Sequence, residues 1–142
     1  MARTRTEKLR HLSAVPMFRR LSQRQLQRVA RHMDEVQVPA GKVVAREGEI
    51  GRELLIVVEG EADVQRGDTT LARIMPGDFF GEMSLIDGKL RSASVVAATD
   101  MTLLVVHGRE FKPLLDDTPG MKDNIMLALV DRLRNADDRL TM

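Results

Sequence analysis

The sequence predicts a mainly β fold, a sandwich or closed barrel with helices at both ends. Three observations predict it. The apolar period is helical over residues 4–34, changes to short β-branched blocks over 36–107, and is helical again over 109–140. Turn signals punctuate the middle region at regular intervals. No linker-like stretch, internal repeat or low-complexity tract divides the 142 residues, so 1–142 reads as one domain of ordinary size.

The elements follow in order. Leu9 and Leu12 lie three apart on a first short helix, and Pro16 interrupts its pattern. Ser22 is placed to cap a second helix, along which Leu26, Val29, Ala30 and Met33 recur at helical spacing. Arg24, Arg28 and Arg31 recur at i, i+4, i+7, a stripe separate from the apolar one. Strands are predicted at 36–38, 43–47, 54–59, 62–66, 70–75, 92–98 and 101–107. The turns between them are Pro39-Ala40-Gly41, Gly48-Glu49-Ile50-Gly51, Glu59-Gly60, Arg66-Gly67-Asp68 and Pro76-Gly77-Asp78. A short helix at 110–115 ends at Asp117-Thr118-Pro119-Gly120. Ile125, Met126, Ala128, Leu129, Leu133 and Leu140 mark the apolar side of a final helix.

Composition narrows the function classes. With 3% aromatic residues and neither Trp nor Tyr, the core must be built from Val, Leu, Ile, Met and Phe, the nine methionines filling irregular space. The absence of Cys excludes disulfides and thiolate metal sites and fits a reducing cytoplasm. His11, His32 and His107 are far apart and lack metal-ligand spacing. No Ser-His-Asp order, Walker loop or paired carboxylates stand out, so the expectation is a binding protein and not an enzyme. A cupin-like metal enzyme on a small barrel would need clustered His and carboxylate ligands that three dispersed histidines do not supply. No apolar run approaches the roughly 20 residues of a membrane span, and the basic N-terminus has no apolar stretch behind it to make a secretory signal. Charge is polarised: residues 1–32 carry nine bases and one acid, net +8, and the rest of the chain nets −7. The basic segment could meet an acidic protein partner or effector domain, a nucleic acid or an anionic membrane, or be a solvated face paired with the chain's own acidic body.

One stretch, 76–94, breaks the strand pattern. Gly81–Leu85 has room for about one helical turn between two strands. Gly81 lets a ligand approach the backbone closely. The amides opening that turn are unpaired and, with the helix dipole, attract an anion. Arg91 brings a planar fork of donors suited to phosphate, and Ser92 a hydroxyl. Glu82, in the first turn, is an acceptor for a sugar hydroxyl. One cationic group beside one acceptor fits a phosphorylated sugar. Phe79, Phe80 and Leu85 read as core.

The run FGEMSLIDGKLRSAS resembles the phosphate-binding cassette of cyclic nucleotide-binding domains, as in cAMP-dependent protein kinase regulatory subunits, cyclic nucleotide-gated channels and the catabolite activator family. VPAGKVVAREGEIGRELLIVVEGEADV is similar to that family's first barrel strands, and LSAVPMFRRLSQRQL to its N-terminal helical segment. The resemblance implies a double-stranded β-helix, or jelly-roll, barrel with N-terminal and C-terminal helices. It implies a receptor without cofactor that converts cyclic nucleotide binding into movement of its C-terminal helices. Glu82 would accept from the ribose 2′-hydroxyl and Arg91 would pair with the phosphate oxygens. Amides around Gly81, Met83 and Ser84 would complete the phosphate shell, with Ser92 and Ala93 closing its other side. Ser94 would reach the base, leaning to cAMP over cGMP, and Leu85 would pass movement from the cassette, 80–94, to the C-terminal helices. Two departures stand out. Leu90 replaces a common Pro, and the chain has no room after Leu140 for the long dimerising helix and DNA-binding module of the catabolite activator type. The candidates to cap the base are then Arg132, Arg134, Arg139 and Leu140. The competing expectation is a ligand-free scaffold that works through its basic N-terminal helices.

Overall fold

The computed structural model describes residues 12–140, with side chains through 136; Leu9 and the rest of 1–11 lie outside that range. A 3-10 turn at Pro16–Phe18 leads into α1 (Gln23–Ala30). Ser22 caps α1 as expected. Its hydroxyl accepts from the Gln25 amide at 3.2 Å and the Gln25 side chain accepts from the Ser22 amide at 2.8 Å, a reciprocal box that satisfies two amides. Leu26 and Val29 turn inward.

Eight strands follow: β1 (Asp34–Val38), β2 (Val43–Ala45), β3 (Glu53–Glu59), β4 (Ala62–Arg66), β5 (Thr69–Ile74), β6 (Phe79–Phe80), β7 (Ser94–Ala97) and β8 (Met101–His107). They form two antiparallel four-stranded sheets, ordered β1-β8-β3-β6 and β2-β7-β4-β5. This is the expected mainly β jelly roll, although the sheets face each other as a flattened roll and are not hydrogen-bonded into a closed ring. The short β2 and β6 carry too few ladder bonds to join them at the corners.

The register explains the unbroken apolar blocks. β3 pairs β8 with Leu54 opposite Val106, Leu55 opposite Val105, Ile56 opposite Leu104 and Val57 opposite Leu103. With side chains alternating, Leu54, Ile56, Leu104 and Val106 pack toward the helices, while Leu55, Val57, Leu103 and Val105 pack between the sheets. A sheet buried on both faces needs apolar residues at every position, not at every second one.

After the cassette helix α2 (Glu82–Asp87), the chain closes with α3 (Gly108–Asp117) and α4 (Pro119–Leu140). Phe111, Leu114, Met121 and Ile125 join Phe18, Leu26 and Val29 in the helical core. The Asn124 amide donates to the carbonyls of Met17 and Arg19, both at 2.9 Å, and ties α4 to the 3-10 turn. The predicted apolar side of this helix divides. Ile125 is buried and Ala128 and Leu129 pack partly against the core, whereas Met126 and Leu133 are exposed and the Leu140 side chain lies outside the described ones; Leu127 and Val130, not among the predicted residues, are exposed too. Among the described residues, no helix is long and apolar enough to cross a membrane.

Most boundaries differ from expectation by one or two residues, and two differences bear on the cassette. The strand predicted at 92–98 begins at Ser94, because residues 91–93 stay irregular beside α2. The two-residue β6 is too short for any periodicity to reveal, and it forms because Phe79 and Phe80 pair with Ile56 and Leu55.

Candidate functional site

The cassette is held open by local backbone constraints. Gly81 caps α2 in the left-handed conformation at φ +93° and sits so close to the Glu53 carbonyl that a Cβ there would collide with it. Gly88 ends the helix at φ +72°. The chain then runs to Arg91, whose amide donates to the Glu49 carbonyl and whose carbonyl accepts from the Gly48 amide, both at 2.9 Å. Leu90 bridges Ile50. The cassette's far end is thus sewn to the 46–51 turn. Gly51 leaves the space that Ser84 and the Arg91 side chain occupy, since a Cβ at Gly51 would lie 3.2 Å from Arg91 Nε.

A cavity of about 450 Å³ opens beside the cassette. Gly81, Glu82, Met83, Ser84, Arg91, Ser92 and Ala93 all line it. The eighth residue singled out from sequence, Ser94, stands outside that lining: its hydroxyl accepts from the Glu47 amide at 2.9 Å. Ala45, Val64, Ile74, Phe80 and Val95 give the cavity apolar walls. Phe79 and Phe80 are buried as core and also line it. Arg91 forms no ion pair or side-chain hydrogen bond with another described residue, so neither Glu82 nor Asp78 neutralises it. Asp78 instead accepts from the Met75 amide at 2.8 Å within its turn.

Glu82 is partnered from an element remote in sequence. Arg132, on α4, donates from Nη1 to Glu82 Oε1 at 3.0 Å and from Nη2 to the Phe79 carbonyl at 2.6 Å, with its guanidinium carbon 4.3 Å from the Phe79 ring centroid. Glu82 is almost wholly buried, and its Oε2 has no hydrogen-bond partner among the described residues. Burial pushes the Glu82 carboxyl up from its ordinary range, against the smaller opposing pull of its own backbone amide and of Arg132. Of the four residues considered to cap the base, Arg132 alone lines the cavity; Arg134 is exposed, and Arg139 and Leu140 fall outside the described side chains.

The raised carboxyl makes a pH prediction for the ligand-free protein. A carboxyl with a higher pKa folded than unfolded contributes stability that is complete below its ordinary 4.5 and is lost as pH rises through the raised value. The stability of wild type minus that of Glu82→Gln should therefore fall between pH 4.5 and 7, measured by urea denaturation. A difference that grows over that interval would mean that the Arg132 pair outweighs burial.

Sequence reading missed Arg73, which lines the cavity while paired to Asp63 at 3.0 Å across β4 and β5, and had no means of placing Arg132 on Glu82 fifty residues away. Only the packing angle of α4 creates that contact. Among the described residues, no cluster of His, Cys, Asp or Glu could hold a metal ion.

Comparison with known proteins agrees with this geometry. The cyclic nucleotide-binding domain model matches residues 35–118. A cyclic nucleotide-gated potassium channel of Rhizobium etli is 36% identical over 121 residues, covering 85% of this chain and 34% of the channel. The cyclic AMP receptor protein of Thermus thermophilus is 33% identical over 132 residues, covering 89% of this chain and 61% of that protein. The crystal structure of the Thermus thermophilus catabolite activator protein superposes with a TM-score of 0.81 at 33% identity, covering 89% of this chain and 62% of that one. The chain thus spans about a third of the channel and less than two thirds of the receptor protein. A family match over more than half the chain, joined to a jelly roll whose cassette lines a cavity with Arg91 and the buried Glu82, makes this chain a member of the cyclic nucleotide-binding domain family.

Proposed function

We propose that this chain is a non-enzymatic cytoplasmic cyclic nucleotide receptor, with cAMP as its ligand. One observation carries the reading: Arg91, unneutralised by any described residue, and Glu82, with a buried oxygen lacking a donor, line one cavity of about 450 Å³. That volume lies within the range of small-molecule sites, roughly 300–1,000 Å³. The Arg91 fork takes the phosphate oxygens and Glu82 accepts the ribose 2′-hydroxyl. The amides of the α2 turn add to the phosphate shell, Ser92 and Ala93 close its other side, and the purine lies toward the apolar wall of Val64, Ile74 and Val95. Preference for cAMP over cGMP rests on Ser94, whose hydroxyl must leave the Glu47 amide to reach a base.

Binding is read out by the C-terminal helices. Leu85 packs on the helical core, and a Cβ at Gly108, where α3 begins, would lie 2.9 Å from Leu85 Cδ2. A phosphate that draws the cassette inward therefore moves a side chain already in contact with the first turn of α3. The ribose competes with Arg132 for Glu82, so Arg132 is released to cover the base and α4 repacks. Such coupling requires the nucleotide to favour one helix position over the other. Hydrogen exchange tests it: cAMP should change the protection of α4. In the free protein, Arg132→Ala should speed α4 exchange roughly fivefold, the value of about 1 kcal/mol for a charged hydrogen bond discounted for a half-exposed arginine. Identical α4 protection with and without cAMP rejects the switch.

A second reading has one observation in its favour. Arg19, Arg20, Arg24, Arg28 and Arg31 are all exposed, and none forms an ion pair with another described residue. An acidic protein partner or effector domain is the complement to that face, and it is compatible with the receptor reading.

A further inference from the structure

Arg91 does not belong to one cavity alone. A second cavity, of about 290 Å³, is lined by Arg91 together with Val43, Arg46, Glu49, Arg52 and Glu53 among others. Its floor is the 46–51 turn that hydrogen bonds to the Arg91 backbone. Three arginines, Arg46, Arg52 and Arg91, therefore line one small polar hollow together with two glutamates, Glu49 and Glu53, a net excess of one positive charge. No carboxylate lies within 4.0 Å of any of the three guanidiniums among the described residues. Glu53 turns to His107 Nδ1 at 3.8 Å, and Glu49 contributes its backbone carbonyl to Arg91. Like charges gathered in a concave site raise the local potential and concentrate anions there. Guanidinium forks match the oxygens of a phosphoryl group better than those of a spherical anion.

We propose that Arg46 and Arg52, with Arg91, form a second anion subsite that takes a phosphoryl group. The group comes from free phosphate or from a second phosphoryl group on the bound nucleotide. Arg91 then serves two anions, one in each cavity. The subsite goes beyond the receptor reading and does not depend on it, because free phosphate can fill it without any cyclic nucleotide.

The test uses the full chain and the double variant Arg46→Gln/Arg52→Gln. Both residues are exposed, so the variant keeps the fold and leaves Arg91 in place. Sodium phosphate is titrated while the amide resonances of residues 46–53 are followed, with and without saturating cAMP. In a second arm, a cyclic dinucleotide, with its two phosphoryl groups, is compared with cAMP by calorimetry. Phosphate should bind wild type at least tenfold tighter than the variant, with shifts centred on 46–53. A cyclic dinucleotide advantage over cAMP of at least tenfold that vanishes in the variant assigns the subsite to a second phosphoryl group of the same ligand. Equal binding of the two nucleotides, with the phosphate effect retained, assigns it to free phosphate. If the variant matches wild type in both arms, the subsite is overturned. Loss of cAMP heat alone, with the phosphate response intact, counts against the receptor reading and not against the subsite.

Discussion

Arg91→Ala should remove most of the thermal stabilisation expected of cAMP on the wild-type chain. At 100 times its dissociation constant, a ligand that binds only the folded state stabilises it by about 2.7 kcal/mol. Truncating one partner of a desolvated charge pair costs roughly 2–5 kcal/mol of binding, which raises the dissociation constant by about 30-fold or more. At the same cAMP concentration the variant then keeps less than about 1 kcal/mol of stabilisation. For a chain of this size that separates a shift of several degrees from one of a degree or two. The unliganded variant should melt close to wild type, because no described residue pairs with the guanidinium. Arg91→Lys should recover only part of the shift, since an ammonium cannot offer two parallel donors. A shift of wild-type size in Arg91→Ala would remove Arg91 from the phosphate site.

Gly81→Ala carries the largest expected loss of stability. Two independent costs meet at this residue. A left-handed conformation costs an alanine about 1 kcal/mol or more, and the new methyl would press on the carbonyl of Glu53, the first residue of β3, which pairs with His107. That carbonyl belongs to backbone and cannot swing aside as a side-chain end could. A total of at least 3 kcal/mol is the order expected for strain plus overpacking, roughly 10 °C in Tm. Gly88→Ala is the control. It shares the left-handed conformation, at φ +72°, but its Cβ would meet nothing within 4 Å. It should lose only about 1 kcal/mol. Equal losses at the two positions, measured by thermal denaturation, would show that the close approach at Gly81 is not what the fold depends on.

The features legible in the sequence were the local ones. Ser22 announces its helix because an N-cap depends only on residues three apart. The cassette announces itself because Gly81, Glu82 and Arg91 fall within eleven residues of one another. The strands Ala62–Arg66 and Met101–His107 end where their turn residues end them. What the sequence hides depends on packing between distant segments. Nothing local distinguishes Arg132 from Arg134; only the tilt of α4 over the cassette puts the first on Glu82. Nothing in the sequence singles out Arg46 or Arg52; the fold brings them into the lining of one hollow with Arg91. The apolar blocks of β3 and β8 mark burial on both faces, but which residues face the helices follows only from the pairing register. Met126 and Leu133, expected on the apolar side of the final helix, are exposed with Leu127 and Val130, because α4 packs on the body through Ile125, Ala128, Leu129 and Arg132 instead.

If Arg91 and Glu82 form the two ends of one cyclic nucleotide site, calorimetric titration of the wild-type chain with cAMP and with cGMP reads that site without any substitution. Saturable binding of one cAMP per chain is expected, with cGMP weaker. Flat titrations with both nucleotides, from a protein shown to be folded, would contradict it.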